Sequence, residues 1–289
     1  MKLIASDLDG TLLNNEGKVS EENIKAIRKA MDLGITFVVA TGRSYDSAKK
    51  ILDDVNLKCP IICMNGAAIF DEQHQLIYSE PLPKETARQV LSICEEANLY
   101  MELFTNKTIY SNSRENFQNV IIDMLKSSNP DVSPAQIERM VKLRFQEEKV
   151  QFIENYESIF SKEDEKIFKV LCMSLEEDGL ARAFEQLQNV SELEVTSSGR
   201  LNIEINHKRA QKGIALEIFS EKLGIEMKDV MALGDNLNDK SMLESAGRGV
   251  AMGNARKDIK ELCDYTTKTN DESGVAYAIE EMLQEVYAK

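Results

Sequence analysis

Short apolar runs that do not alternate with polar residues recur at both ends of this chain. "KLIAS", "ITFVVA" and "PIICM" lie near the N-terminus, and "DVMALG" and "RGVAM" lie near the C-terminus. A strand facing solvent on one side alternates, whereas one buried on both sides reads as a continuous apolar run. The segments between these runs are amphipathic. In "SEENIKAIRKAMDLG", Ser20 can cap a helix, Glu21 and Glu22 favour its positive end, Ile24, Ile27 and Met31 share a face, and Gly34 ends it. "SYDSAKKILDDV" predicts a second helix capped by Ser44. The β-α-β-α-β order predicts a parallel sheet covered on both faces.

The rhythm breaks after "AAIFDEQHQLIYS", which reads as a hairpin. From about Lys84 to Asn206, "LYMELFT", "TIYS", "KIFKVLCMS", "ELEVTS" and "RLNIEIN" alternate as half-exposed strands do, with helical stretches between them, including Arg182 to Gln188. The α/β pattern resumes with a helix in "AQKGIALEIFSEKLG", followed by "DVMALG", "DKSMLESA", "RGVAM" and a last helix in "SGVAYAIEEMLQEV". The expected fold is α/β: a Rossmann-like parallel-sheet core over residues 1–83 and 207–289, split by an α+β domain over 84–206.

Composition narrows the function. The net charge is 35 − 49 = −14 with no basic block, which argues against nucleic acid or an anionic membrane as partner. A small anionic substrate stays open, because a metal or a few placed cations can dominate one cleft. Five cysteines, an odd number with no C-x-x-C, read as reduced buried thiols of a cytoplasmic protein. Only "LIA" precedes the first acidic residues, so no signal peptide is expected, and no apolar stretch approaches membrane-spanning length.

Four short stretches fall at strand ends or at a helix start: "DLDGT", "ATGR", "QKG" and "GDNLND". Ligands of open α/β sheets bind at the carboxyl ends of strands. Asp7, clustered with Asp235 and Asp239, makes a like-charge patch that calls for a cation, and oxygen-only ligands suit magnesium (Mg2+). A carboxylate in such a place can attack phosphorus, and a second one two residues on, Asp9, can shuttle the proton. Thr41 and the N–H groups after it can hold phosphoryl oxygens, and Lys212 can offset their charge.

Taken singly, each stretch has an ordinary reading. "DLDGT" as a calcium loop fails because the sixth and twelfth loop positions are Leu12 and Lys18. A "DLD" glycosyltransferase metal site leaves the other three stretches unexplained. "GDNLND" alone can be a polar turn, "ATGR" a common strand-to-helix turn, and Lys212 a solvated helix residue. His74 and His207 read as polar surface, Arg200 as a turn arginine, and the twelve methionines as core. There is no G-x-G-x-x-G after a strand and no G-x-x-x-x-G-K-[ST].

The order of the four stretches resembles the haloacid dehalogenase superfamily, in particular the Cof-type phosphatases, over nearly the whole chain. The resemblance implies that Asp7 is the nucleophile and Asp9 the acid/base. Asp7, the backbone carbonyl of Asp9 and Asp235 would bind magnesium, with Asp239 supporting the site. Leu8, Thr41, Gly42, Arg43, Asn65, Gly66, Lys212 and Asn238 would contact substrate, Asn65 and Gly66 from the loop "MNGA". The insertion follows the second motif, where Cof-type enzymes carry an α/β cap that sets specificity. The expected activity is magnesium-dependent hydrolysis of small phosphate monoesters by a monomer or weak homodimer. Sugar phosphates lead, and flavin-synthesis intermediates and vitamin phosphates also fit. A phosphomutase of the same chemistry and a non-catalytic phosphometabolite sensor are the alternatives.

Overall fold

Continuous apolar runs become central strands here because both faces of the sheet they form are covered. The computed structural model describes residues 1–113, 133, 150–174, 177–197 and 201–287; Arg200 lies outside these. The first run is β1 (Leu3–Ser6), followed by α1 (Glu21–Asp32), β2 (Thr36–Ala40), α2 (Tyr45–Asp54), β3 (Ile61–Cys63) and a hairpin of β4 (Ala68–Phe70) and β5 (Leu76–Ser79). Ser20 and Ser44 cap α1 and α2, their side chains accepting from the N–H groups of Asn23 and Ser47.

The chain divides into two compact units, Met1–Ser79 with Arg209–Lys289, and Glu80–Lys208. Both flanks of the insertion are tied into the second unit by backbone bonds: the Leu82 N–H donates to the Ile167 carbonyl and the Lys208 N–H to the Glu192 carbonyl. The second unit holds α3 (Lys84–Glu96), β6 (Tyr100–Thr105), β7 (Ile109–Ser111), β8 (Val150–Phe152), α4 (Glu157–Phe160), β9 (Ile167–Met173), α5 (Glu177–Gln188), β10 (Leu193–Thr196) and β11 (Asn202–His207). Its sheet runs β10-β11-β9-β6-β7-β8.

The first unit resumes with α6 (Lys212–Lys222), β12 (Val230–Gly234), α7 (Lys240–Ser245), β13 (Arg248–Ala251), α8 (Lys257–Leu262), β14 (Tyr265–Thr266) and α9 (Gly274–Tyr287). The eight-stranded sheet has the order β14-β13-β12-β1-β2-β3-β4-β5. It is parallel from β14 to β3, and β4 and β5 add antiparallel at one edge. Thus β1 sits between β2 and β12, and the chain leaves these central strands in opposite directions. None of the five cysteines is in a disulfide; four are buried and Cys263 is half-buried. No helix among the described residues is long and apolar enough to cross a membrane.

The second unit corrects one expectation. Its strands were to be half-exposed, yet β6, β7 and β9 are buried along their whole length. Met101, Leu103, Val170, Cys172, Ile203 and Ile205 pack with residues of α3 and α5 in one apolar cluster. The alternate positions also carry buried polar side chains, and several of these bond one another or the backbone. The Tyr100 hydroxyl donates to Glu102 at 3.1 Å, Lys169 donates to Glu204 at 3.1 Å, and Asn206 donates to the Phe168 carbonyl at 2.9 Å. The Lys169 ammonium also lies 4.4 Å from the centroid of the Phe104 ring.

A buried ion pair is costly to break and cheap to replace. Lys169→Met is expected to destabilise the protein by about 3–5 kcal/mol, because it takes from the Glu204 carboxylate its buried cationic partner. The double variant Lys169→Met/Glu204→Leu is expected to regain most of that loss. Calorimetric melting of the three proteins checks this; a double variant as weak as the single one would contradict it.

Candidate active site

The turn after β1 and the turn after β12 lie side by side, because these two strands pair in parallel with Ser6 opposite Leu233. Such a reversal of strand order leaves a crevice at the carboxyl ends. Asp7 follows β1 and Asp235 follows β12, and the Asp7 N–H donates to the Leu233 carbonyl at 3.0 Å. Ser6, Leu8 and Leu12 around Asp7 are fully buried, so the carboxylate is carried into the interior with only 5% of the residue exposed.

Lys212 makes this burial tolerable. It opens α6, is 0% exposed, and its ammonium donates to Asp7 at 2.7 Å and to Asp239 at 2.6 Å. The other oxygen of Asp239 accepts from the N–H groups of Asp235 and Asn236 at 2.9 and 3.0 Å. Asp235 is fixed by the Thr11 hydroxyl at 3.1 Å. Gly10 makes room for it: φ is +77°, and a Cβ there would stand 2.4 Å from an Asp235 oxygen.

One ammonium faces three carboxylates whose oxygens lie within 4.8 Å of one another. Burial, then the Asp239 charge, holds the Asp7 carboxyl well above its ordinary range against the pull of Lys212. Burial, then Asp239, pushes Asp235 up to about 6. Burial alone would lower the Lys212 ammonium, but the charges of Asp239 and Asp7 outweigh it and raise it, so this lysine stays charged. The cluster is short of positive charge and offers only oxygen, which fits a hard divalent cation such as Mg2+. Asp239 already uses both oxygens on Lys212 and backbone donors, so Asp7 and Asp235 would be the better ligands, with Asp239 as their support.

The remaining residues gather at the same end of the sheet. Thr41 is fully buried; its hydroxyl accepts from the Arg43 N–H at 3.1 Å and its carbonyl from the Asn65 N–H at 3.0 Å. Asn238 donates to the Asn65 side chain at 3.3 Å. Gly66 fits against Gln211, whose carbonyl oxygen would lie 2.4 Å from a Cβ. The Leu8 side chain is wholly in the core and its carbonyl accepts from Thr11 and Leu13, so only its backbone is left to face a ligand. Arg43 makes a contact that the sequence did not predict. Its guanidinium holds both oxygens of Asp9, at 2.8 and 2.6 Å. His74, bonded to the Tyr45 hydroxyl, and His207, 3.3 Å from Glu80, take no part in the cluster.

Two supports escaped the sequence. Thr11 stands inside "DLDGT" and could have been read as an Asp235 partner only with β12 already in place. Asn254 donates to the Gly10 carbonyl at 2.7 Å and accepts from the Asn270 N–H at 2.9 Å, which ties the turn after Asp9 to the turn that precedes α9. Nothing in "MGNA" advertises that contact.

With this geometry in view, comparison with known proteins is informative. The pattern of the haloacid dehalogenase-like hydrolases matches residues 4–279. Phosphatase YwpJ of Bacillus subtilis is 39% identical over 287 residues, covering 98% of this chain and 100% of that protein. The 5-amino-6-(5-phospho-D-ribitylamino)uracil phosphatase YwtE of the same organism is also 39% identical and is covered, like this chain, in full. A solved structure of a haloacid dehalogenase-like hydrolase from B. subtilis superposes with a TM-score of 0.87 at 38% identity, covering 98% of this chain and 100% of the other.

The Asp235 shift sets a pH dependence. A carboxyl raised by folding from 3.8 to about 6 holds its proton more tightly when folded. It therefore favours folding below the ordinary value, and that contribution is lost as pH rises through the raised one. A bound cation compensates the charge exposed by that loss. Mg2+ is thus expected to raise Tm more near pH 7 than near pH 5, relative to protein in EDTA. Calorimetry at both pH values checks this; an equal or larger shift near pH 5 would count against the cluster as the cation site.

Proposed function

Since the chain belongs to the haloacid dehalogenase-like hydrolase family as a Cof-type phosphatase, we propose that it hydrolyses small phosphate monoesters with Mg2+ through an aspartyl-phosphate on Asp7. The observation that carries this reading is the pairing of a buried Asp7, held by Lys212, with an exposed Asp9 two residues on. An oxygen of Asp7 attacks phosphorus as the ester P–O bond breaks, and Asp9 gives its proton to the departing oxygen. Asp9 then takes a proton from water, whose oxygen attacks phosphorus and frees Asp7 and inorganic phosphate. Lys212 and the N–H groups of the turn after Thr41 offset the charge on the phosphoryl oxygens. Asp7, Asp235 and the Asp9 backbone carbonyl would hold the cation, which screens the negative nucleophile and phosphoryl group from each other.

Sugar phosphates and related polyol phosphates are the proposed substrates. The phosphoribityl compound named for the 39%-identical YwtE belongs to that chemical class and is a first candidate. A sensor would need no exposed proton shuttle, and a mutase would return phosphate to an isomer instead of releasing it. The protein is proposed to work in the cytoplasm.

Inorganic phosphate release from a panel of such esters, with Mg2+ and with EDTA, tests the reading; full turnover in EDTA would overturn the metal dependence. Asp7→Asn is expected to abolish turnover. Asp9→Asn is expected to lose roughly 100- to 10,000-fold on sugar phosphates, the usual range for general acid catalysis. With 4-nitrophenyl phosphate, whose leaving group needs no proton, Asp9→Asn should give a burst near one equivalent and then stall. Asp7→Asn should give no burst.

A further inference from the structure

The Arg43–Asp9 contact is more ordered than a chance ion pair at a protein surface. Nε of Arg43 donates to one Asp9 oxygen at 2.8 Å and Nη2 to the other at 2.6 Å, a fork-to-fork pairing. The Asp9 side chain is 54% exposed and that of Arg43 31%, so the pair contributes little to stability. Its value lies in placement. Arg43 stands on the turn between β2 and α2, and that turn is fixed on three sides. The Arg43 N–H donates to the Thr41 hydroxyl at 3.1 Å, its carbonyl accepts from the Met64 N–H at 2.9 Å, and Nη1 reaches the Ser47 hydroxyl at 3.4 Å.

The Asp9 backbone bridges to Leu13, but among the described residues its carboxylate is held by Arg43. Asp9 is joined to the buried Asp7 by one residue, and its carboxylate is 54% exposed. A proton shuttle must lie within hydrogen-bond reach of the ester oxygen in the first step and of water in the second. A carboxylate left to rotate in solvent meets that condition only part of the time.

We propose that Arg43 is the positioning residue for Asp9, orienting the carboxylate for its two proton transfers, and not a ligand of the phosphoryl group. This rests on the acid/base role of Asp9 given above. Removing Arg43 should then damage only those substrates that need the proton.

The test compares first-turnover rates on two esters. Glycerol release from glycerol 2-phosphate is followed by rapid quench, and nitrophenolate release from 4-nitrophenyl phosphate by absorbance. Arg43→Gln is expected to slow glycerol release roughly 10- to 100-fold, part of the range for a general acid, and nitrophenolate release less than about threefold. The half-saturating concentration should change less than about threefold for either ester. Arg43→Lys, which keeps the charge but not the fork, should lose nearly as much on glycerol 2-phosphate. In an Asp9→Asn background, Arg43→Gln should cost nothing further, because the two side chains act as a unit.

Weaker saturation of both esters with the rates preserved would make Arg43 a phosphate ligand and overturn the proposal. So would equal rate losses on both esters, full recovery by lysine, or additive losses in the double variant. The Asp9→Asn control separates the acid role of Asp9 from the positioning role of Arg43. If Asp9→Asn itself slows both esters equally, the acid role of Asp9 falls. If it slows only glycerol release while Arg43→Gln slows neither, that role stands and the positioning role falls.

Discussion

The site depends on one buried ammonium. Lys212 is out of contact with water, and it touches a carboxylate from each half of the split unit, Asp7 from the N-terminal half and Asp239 from the C-terminal half. Taking any of these charges out of water alone would cost several kcal/mol, so each is tolerable only beside the others. The lysine therefore does two jobs with one set of contacts. It stabilises the assembly of segments 205 residues apart in the chain, and it leaves a positive group beside Asp7. The cluster still has more negative than positive charge, which is the electrostatic reason it suits a divalent cation.

The second constraint is a backbone one. Met64, Asn65 and Gly66 take successive positive φ values of 50°, 59° and 99°. For a non-glycine residue this conformation costs on the order of 1–3 kcal/mol, and such strain persists where surrounding contacts over-determine it. Here the Met64 and Asn65 N–H groups donate back to Arg43 and Thr41, while Gly66 lies against the Gln211 carbonyl just before Lys212. The loop "MNGA" is thus a brace between the turn after β2 and the start of α6. It holds Thr41 and Lys212 in fixed relation without itself carrying a charge.

What was legible in the sequence follows from what each signal depends on. The apolar runs and the caps at Ser20 and Ser44 are local, so β1, β2, β12, α1 and α2 could be read directly. The four motif stretches could be read because carboxylates and a lysine at strand ends and helix starts are hard to explain otherwise. Strands β6, β7 and β9 misled because alternation implies solvent on one side, and nothing local says that Glu102, Lys169 and Glu204 will be buried with Tyr100, Phe104 and Asn206. The Arg43–Asp9 pairing was not legible for a related reason. "ATGR" places Arg43 after β2, but which group its guanidinium meets is decided by where Asp9 points, and that is a property of the assembled turn. Asn254 left no trace at all, since a carboxamide bonded to the Gly10 carbonyl looks in sequence like any loop asparagine.

Two carboxylates one residue apart can do opposite work only if their surroundings differ, and the turn after β1 makes them differ. Asp7 continues the line of a buried strand and keeps 7% of its side chain exposed; Asp9 keeps 54%. Leu8 between them is anchored in the core, and Gly10 immediately after turns the chain with a positive φ that most side chains would resist. A nucleophile gains from a dry place with a fixed cationic neighbour, since the charge moving onto phosphorus is met by groups that need not reorganise. A proton shuttle gains from the reverse, access to water and to a departing group, with its direction fixed by a partner. Exposure divides the two proposed roles between Asp7 and Asp9 more surely than sequence position does, and "DLDGT" is the shortest segment in which one strand end can supply both.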